Sequence, residues 1–284
     1  MSQFESFKDV VDQYKVIFFD AFGVLKNSNG LIPGIEKTFA YLKETKKEFY
    51  VLTNDASRSP EALAQSYHKL EMYDIVPECI ISSGMLAREY LQLKVSHGTV
   101  AYLGTEKSAH YIETAGLKTL SIRELDLNDI DEVNALVFLD DEGFDWNTDL
   151  NKTVNLLRRR NIPVIVANTD NTYPVSKNQI AIAIGGVAKM IETIVGKQFM
   201  RFGKPDAQMF IFAYEHINSY PAVGRKDILM VGDTLHTDIL GGNKFGLDTA
   251  LVLTGNTLAD DVEVRVRSTG IIPTYICESA VIEV

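Results

Sequence analysis

Short apolar runs recur along this chain, each ending in a polar residue at the start of a loop. Val16 to Phe19 ends at Asp20, Phe49 to Leu52 at Thr53-Asn54, and Ala135 to Leu139 at Asp140. Val164 to Ala167 ends at Asn168, Ile228 to Val231 at Gly232-Asp233, and Ala250 to Leu253 at Thr254-Gly255. These runs do not alternate with polar residues, so they predict strands buried on both faces, as in a parallel sheet. Helical patterns lie between them. Ser59-Pro60-Glu61 reads as an N-cap, a first-turn proline and an early acid. Asp149 to Arg160 carries Val154, Leu156 and Leu157 and ends in three arginines, which read as cations opposing the helix dipole before Pro163 rather than as a phosphate patch. Alternating strands and helices predict an α/β fold, a Rossmann-like doubly wound parallel sheet. Ligands of such sheets sit beyond the carboxyl ends of the strands, where Asp20, Thr53, Asn54 and Asp233 fall.

Composition narrows the function. Lys plus Arg number 28 against 38 Asp plus Glu, a formal charge of −10 over 284 residues. Nucleic acid and anionic membranes both require a basic footprint, so neither is an expected partner. Cys79 and Cys277 lie far apart with no metal-ligand spacing around them, which points to no disulfide or zinc site and to a reducing cytoplasm. The N-terminal stretch has no apolar h-region, and the longest apolar run, Ile180 to Ala188, is too short to span a bilayer. There is no repeat and no glycine-rich phosphate loop.

Four motifs stand in order: FFDAFGVL at 18–25, VLTNDASRSP at 51–60, FGKPD at 202–206 and MVGDTLHTDILGGNKFG at 230–246. Together they resemble the haloacid dehalogenase (HAD) superfamily. Within it the chain is similar to class IIA, the NagD-like and pyridoxal phosphatase-like branch with a C2-type cap. The likeness extends through Ile32-Pro33-Gly34, Ser82-Ser83-Gly84, Asn168-Thr169-Asp170 and Leu251 to Gly255. It implies a core in two parts, 1–83 and 188–284, with an α/β cap inserted at 84–187.

The chemistry suits the residue types. A strand-end carboxylate, Asp20, can attack phosphorus in line and form an aspartyl-phosphate. Nucleophile and target are both anionic, so a hard cation with oxygen ligands, Mg²⁺, must screen them. Asp233 supplies a second carboxylate from a neighbouring strand end. The resemblance adds the backbone carbonyl of Phe22 as a metal ligand and Asp238 as the residue that steadies the metal shell. It also implies that Thr53, Asn54 and Lys204 bind substrate, with Thr53 and Lys204 sharing in catalysis by contacting phosphoryl oxygens. The expected enzyme is a Mg²⁺-dependent phosphatase of small phosphorylated metabolites, cytoplasmic and homodimeric through the cap, with sugar or aryl phosphates as substrates.

One position departs from the resemblance. The family's phosphatases carry a second aspartate two residues after the nucleophile, the general acid/base, where this chain has Phe22. General acid/base catalysis contributes about 10²–10⁴-fold, less than the electrostatic term. A slow or substrate-restricted enzyme is therefore expected, with good leaving groups least affected. His236 reads as a loop residue facing solvent or the cap, while Asp55 and Asp170 are open as substitute proton donors. Two other readings compete. Dehalogenases of the superfamily also place an aromatic residue at this position but need no metal, and Asp233 with Asp238 speaks against them. A catalytically silent protein binding a phosphorylated ligand would also tolerate Phe22. In the cap, Asp140 reads as a strand terminus, Trp146 as packing, and Gly185-Gly186 as either a hinge or close packing at a helix start.

Overall fold

Val16–Phe19 contributes four side chains with no solvent exposure, and they point alternately into two different cores. Val16 and Phe18 belong to one cluster, while Ile17 and Phe19 belong to another on the opposite face. Ile228 and Met230 share the first cluster, and Leu229 and Val231 the second. Burial on both faces is why these runs lack alternation, and each such side chain contributes about 1.5–3 kcal/mol relative to exposure.

In this computed structural model, which describes residues 4–176, 179–217 and 223–283, two parallel sheets are present. The first has six strands in the spatial order Tyr275–Cys277, Asp248–Val252, Ile228–Gly232, Val16–Phe19, Glu48–Thr53 and Ile80–Ser82. The chain leaves Val16–Phe19 toward one edge and later returns to build toward the other. The strand order therefore reverses at Val16–Phe19, and the crevice at its carboxyl end is a topological switch point.

The second sheet has five parallel strands in the order Met200–Arg201, Val164–Val166, Val133–Phe138, Thr99–Leu103 and Lys118–Ser121. Its outer face packs against the helices Thr148–Arg159 and Ile184–Val195 through Leu136, Phe138, Leu156, Val187 and Ile191. Its other face is continuous with the first core through Tyr102, Val137, Leu86, Phe202 and Met209. No described helix is long and apolar enough to cross a membrane.

The expected boundary at 187/188 falls within a helix. That helix, Ile184–Val195, packs on the second sheet, and Met200–Arg201 pairs with that sheet's strand Val164–Val166. The second crossing between the sheets thus lies at Phe202, and the first at the Ser82–Ser83 junction of strand and helix. The helix at Pro60–His68 has the anticipated cap, the Ser59 hydroxyl accepting from the Ala62 N–H at 3.3 Å. The arginine run ends a helix: Arg159 donates to the Leu127 carbonyl at 2.9 Å and Arg160 to that of Asp131 at 2.8 Å. Gly185 and Gly186 lie against backbone, since added Cβ atoms would sit 2.5 Å from the Asp170 carbonyl oxygen and 2.6 Å from that of Asn171. Of the two meanings open for that pair, this is close packing. The first three residues of the N-terminal stretch lie outside the described residues.

Candidate active site

Asp20 follows the central strand directly, its N–H donating to the Val231 carbonyl at 2.8 Å. Thr53 ends the neighbouring strand, and Asn54 follows it; both are buried. Asp233 follows the strand on the other side, Ile228–Gly232. Three adjacent parallel strands therefore deliver their terminal polar side chains to one crevice.

Lys204 comes from the segment after the second crossing and is buried, with 2% exposure. Its ammonium lies 2.6 Å from Asp20 Oδ1 and 2.8 Å from Asp238 Oδ1. Burial opposes its charge, but these two carboxylates outweigh that and hold its pKa above the ordinary lysine value. Asn54 fixes the lysine's backbone. The Lys204 N–H donates to Asn54 Oδ1 at 2.7 Å, and Asn54 Nδ2 donates to the Lys204 carbonyl at 3.1 Å. The same amide nitrogen reaches Thr169 Oγ1 at 3.1 Å and Asp170 Oδ1 at 2.9 Å, both on the loop after a second-sheet strand. Ser83 Oγ donates to the Asn54 carbonyl at 2.9 Å.

Asp20, Asp233 and Asp238 bring carboxylate oxygens within 4.8 Å of one another. Between Asp233 and the helix Leu240–Phe245 lies a single π-helical turn, Leu235–Ile239. This turn lets Asp238 Oδ2 accept from the Thr234 N–H at 3.1 Å, a use of π geometry common at functional sites. Asp233 Oδ1 accepts from the Thr234 hydroxyl at 2.8 Å, and its Oδ2 from the Asn256 N–H at 2.6 Å. Gly23 permits this crowding, because at φ +85° it takes a left-handed conformation and a Cβ there would lie 2.1 Å from Asp233 Oδ2.

The donor set fits a hard divalent cation. Asp233 is buried and has no basic partner in ion-pair range among the described residues. Burial, then Asp20 and Asp238, push its carboxyl well above the usual range. Burial likewise pushes Asp238 up to about 7 despite Lys204. Converging oxygen donors whose charged forms lack compensation are what a bound cation would stabilise.

The remaining sequence-singled residues fall as follows. Phe22 lies in the turn after Asp20, bridged to Lys26, and its half-buried ring offers no proton. His236 is exposed. Asp170 is partly exposed at the crevice, and burial pushes its carboxyl up to about 6. Asp55 Oδ1 accepts from the Ser57 N–H and hydroxyl at 2.8 and 2.6 Å, shaping the loop. The Arg58 carbonyl accepts from the Tyr111 hydroxyl at 2.7 Å, and its side chain is exposed. Trp146 is 42% exposed and stacks on Phe144. A cleft of about 1100 Å³ opens between the Ser57–Arg58 loop and the strand ends of the second sheet, where Lys107, Arg123, Asp140 and Glu142 line it. Burial, then Asp141, pushes Asp140 up to about 6. Of this lining, Ser57 and Arg58 lie in a motif and Asp140 ends an apolar run; Lys107 and Arg123 carry no motif.

Parallel strands that converge a carboxylate, a hydroxyl and a buried lysine on an acidic cluster at a switch point define a hydrolase of one family. The model described as haloacid dehalogenase-like hydrolase matches residues 17–118, and a HAD-hydrolase-like model matches residues 201–280. The chain belongs to the haloacid dehalogenase-like hydrolases. A solved structure described as a possible sugar phosphatase of the HAD superfamily, from Cytophaga hutchinsonii, is 65% identical, with 99% of each chain covered and a TM-score of 0.95. Chronophin from Bos taurus is 29% identical over 96% of this chain and 93% of its own. Glycerol-3-phosphate phosphatase from Gallus gallus is 26% identical over 97% of this chain and 92% of its own.

Proposed function

We propose that this phosphoric monoester hydrolase acts on small phosphorylated metabolites through an aspartyl-phosphate on Asp20. The observation that carries the reading is the buried Lys204 ammonium set between Asp20 and Asp238, beside a third carboxylate that has no cation of its own. In this reading Asp20, Asp233 and the Phe22 carbonyl hold Mg²⁺, with Asp238 steadying the shell. Bound there, the ion screens the charge of nucleophile and phosphoryl group.

Asp20 is aimed for attack because its backbone is fixed on Val231 and one of its oxygens on Lys204. Thr53 and Lys204 contact the phosphoryl oxygens, where charge develops in the transition state. The Asp20 oxygen forms a bond to phosphorus as the ester P–O bond breaks, and the leaving oxygen takes a proton. Water then attacks the aspartyl-phosphate and restores the carboxylate. With Phe22 unable to move a proton, Asp170 is the best-supported substitute, because burial pushes its carboxyl up to about 6 and Asn54 orients it. The leaving group occupies the large cleft, whose mixed lining of Arg58, Lys107, Arg123 and Asp140 suits a polar, hydroxylated body. The descriptions of the relatives, a possible sugar phosphatase and a glycerol-3-phosphate phosphatase, support sugar-phosphate-like substrates. We place the enzyme in the cytoplasm, as a homodimer through the second-sheet unit.

The test is a panel of sugar and aryl phosphates with Mg²⁺, on the wild type and Phe22→Asp in parallel. The variant should gain about 10²–10⁴-fold on alkyl and sugar phosphates and little on aryl phosphates, whose leaving groups need no proton. Equal gains on both classes would refute the role given to position 22. Turnover that survives chelation of divalent metal would favour dehalogenase-like chemistry, and absence of any turnover would favour the silent phospho-ligand binder.

A further inference from the structure

A second cavity, of only about 10 Å³, reaches Ala21, the residue after the nucleophile; Lys26, Thr53, Asp55 and Tyr67 line it together with the aliphatic Val51, Leu63 and Ile80. By that measure it holds one water-sized atom. Two polar groups around it have no hydrogen-bond partner among the described residues. The Tyr67 hydroxyl is buried and makes no hydrogen bond, although buried hydroxyls are nearly always bonded. The half-buried Lys26 ammonium makes no hydrogen bond or ion pair among the described residues and lies 4.9 Å from the centre of the Tyr67 ring. The charges that act on it are Asp55, Arg58 and Asp20.

Lys26 is held there by its own backbone. Its N–H donates to the Ala21 carbonyl at 3.2 Å, and its carbonyl accepts from the Gly23 N–H at 2.7 Å. The turn that carries Asp20 and Phe22 therefore also delivers Lys26, and it points an ammonium with no counter-ion toward the strand end that carries Thr53. The unbonded Tyr67 hydroxyl costs stability in the folded chain, and partial burial works against the charge of Lys26. No helix end, sheet edge or ion pair among the described residues gains from them.

We propose that this chamber is a one-atom oxyanion pocket, in which Lys26 and Tyr67, together with Thr53, bind a single oxygen of the phosphoryl group transferred to Asp20. The inference deepens the phosphatase reading and rests on it. The charge balance supports it. Lys204 is already shared between two carboxylates, and Asp233 is unpaired, so an incoming phosphate dianion enters a field dominated by acids. Lys26 adds positive charge that no ion pair has cancelled. A chamber one atom wide admits an oxygen of a tetrahedral oxyanion and excludes anything bulkier bonded to it, so it selects a terminal phosphoryl oxygen over the ester oxygen. This places the leaving group on the opposite side, toward the large cleft.

The experiment uses the full chain with Mg²⁺ and two probes, inorganic phosphate and orthovanadate. They are read as inhibitors of p-nitrophenyl phosphate hydrolysis and, separately, by the rise in melting temperature they cause. Lys26→Met should weaken both anions ten- to a hundredfold, the range for a lost charged hydrogen bond, and lower kcat/KM by a similar factor. Tyr67→Phe should weaken them three- to tenfold. Without ligand, the melting temperature of Lys26→Met should stay level or rise, because a partly desolvated charge with no ion pair has been removed. Anion affinities within twofold of wild type in both variants would overturn the proposal, leaving the chamber a site for structural water. So would an affinity loss accompanied by a fall in melting temperature, the mark of a lysine that only packs on Tyr67. A wild type that binds vanadate in a Lys26-dependent way but releases no phosphate would sustain the pocket and overturn the phosphatase reading alone.

Discussion

Lys204→Met is the most informative perturbation of the candidate site, because the shape of the side chain is nearly kept while its charge goes. The ammonium contacts Asp20 at 2.6 Å and Asp238 at 2.8 Å, with 2% of its surface exposed. At an effective dielectric near 20, each contact is worth about 6 kcal/mol of Coulomb attraction. Desolvation of the ammonium offsets several kcal/mol of that, and removing one partner of a buried pair typically costs about 3–5 kcal/mol. In the variant, three carboxylates remain within 4.8 Å of one another with no cation between them. Asp238, already pushed up to about 7, relieves part of the repulsion by taking a proton. The expected loss of stability without metal is about 2–4 kcal/mol at pH 7.5, shrinking as pH falls toward 6. Urea unfolding followed by circular dichroism measures it. Added Mg²⁺ should restore most of the loss, while phosphatase turnover stays down about 10²–10³-fold, since the ion replaces the charge but not the phosphoryl contact. Metal-free stability within about 0.5 kcal/mol of wild type would refute the view that Lys204 is what makes the acidic cluster tolerable.

Two further predictions address the shape and charge of the site. Gly23→Ala must take φ +85° and bring a Cβ within 2.1 Å of Asp233 Oδ2, so it should lose about 1–2 kcal/mol from strain. It should also need at least about tenfold more Mg²⁺ for half-maximal activity; an unchanged Mg²⁺ titration would show that Asp233 is not confined as described. At Asp140, burial raises the folded-state pKa from 3.8 to about 6, and Asp141, Asp55 and Glu142 face it with like charge. The folded chain then binds more protons than the unfolded chain between those values, so this group makes stability fall as pH rises through that window. Asp140→Asn should therefore stabilise the protein at pH 7.5 by about 1–2 kcal/mol after allowance for screening, and by less at pH 4.5. Melting curves at the two pH values decide it, and an equal gain at both would exclude the titration.

What the sequence made legible follows the reach of each interaction. The six apolar runs are strands because two-sided burial writes itself into every residue of the run. Ile80–Ser82 and Met200–Arg201 are too short to carry any period, and Lys118–Ser121 is an edge strand with exposed and half-exposed positions. The helix Ile184–Val195 is amphipathic in the sequence whichever sheet it covers, and its partner is fixed only by the distant Leu136 and Phe138. Its sheet partner is therefore not written in its own sequence. Asp20, Thr53, Asn54, Lys204, Asp233 and Asp238 stood out because each follows a strand or lies in a motif. Lys26 and Tyr67 did not. A lysine in a turn reads as solvated, and only the approach of the helix Pro60–His68 to that turn buries it.

Asn54 ties both crossings between the sheets to one residue. Its carbonyl holds Ser83 at the first crossing, and its amide holds Lys204 just past the second. The residues placed to meet the body of a substrate, Lys107, Glu124 and Glu142 on the cleft rim, lie outside this knot of bonds. Sequence change at the rim can therefore alter which molecules are admitted while Asn54 keeps Lys204 set against Asp20.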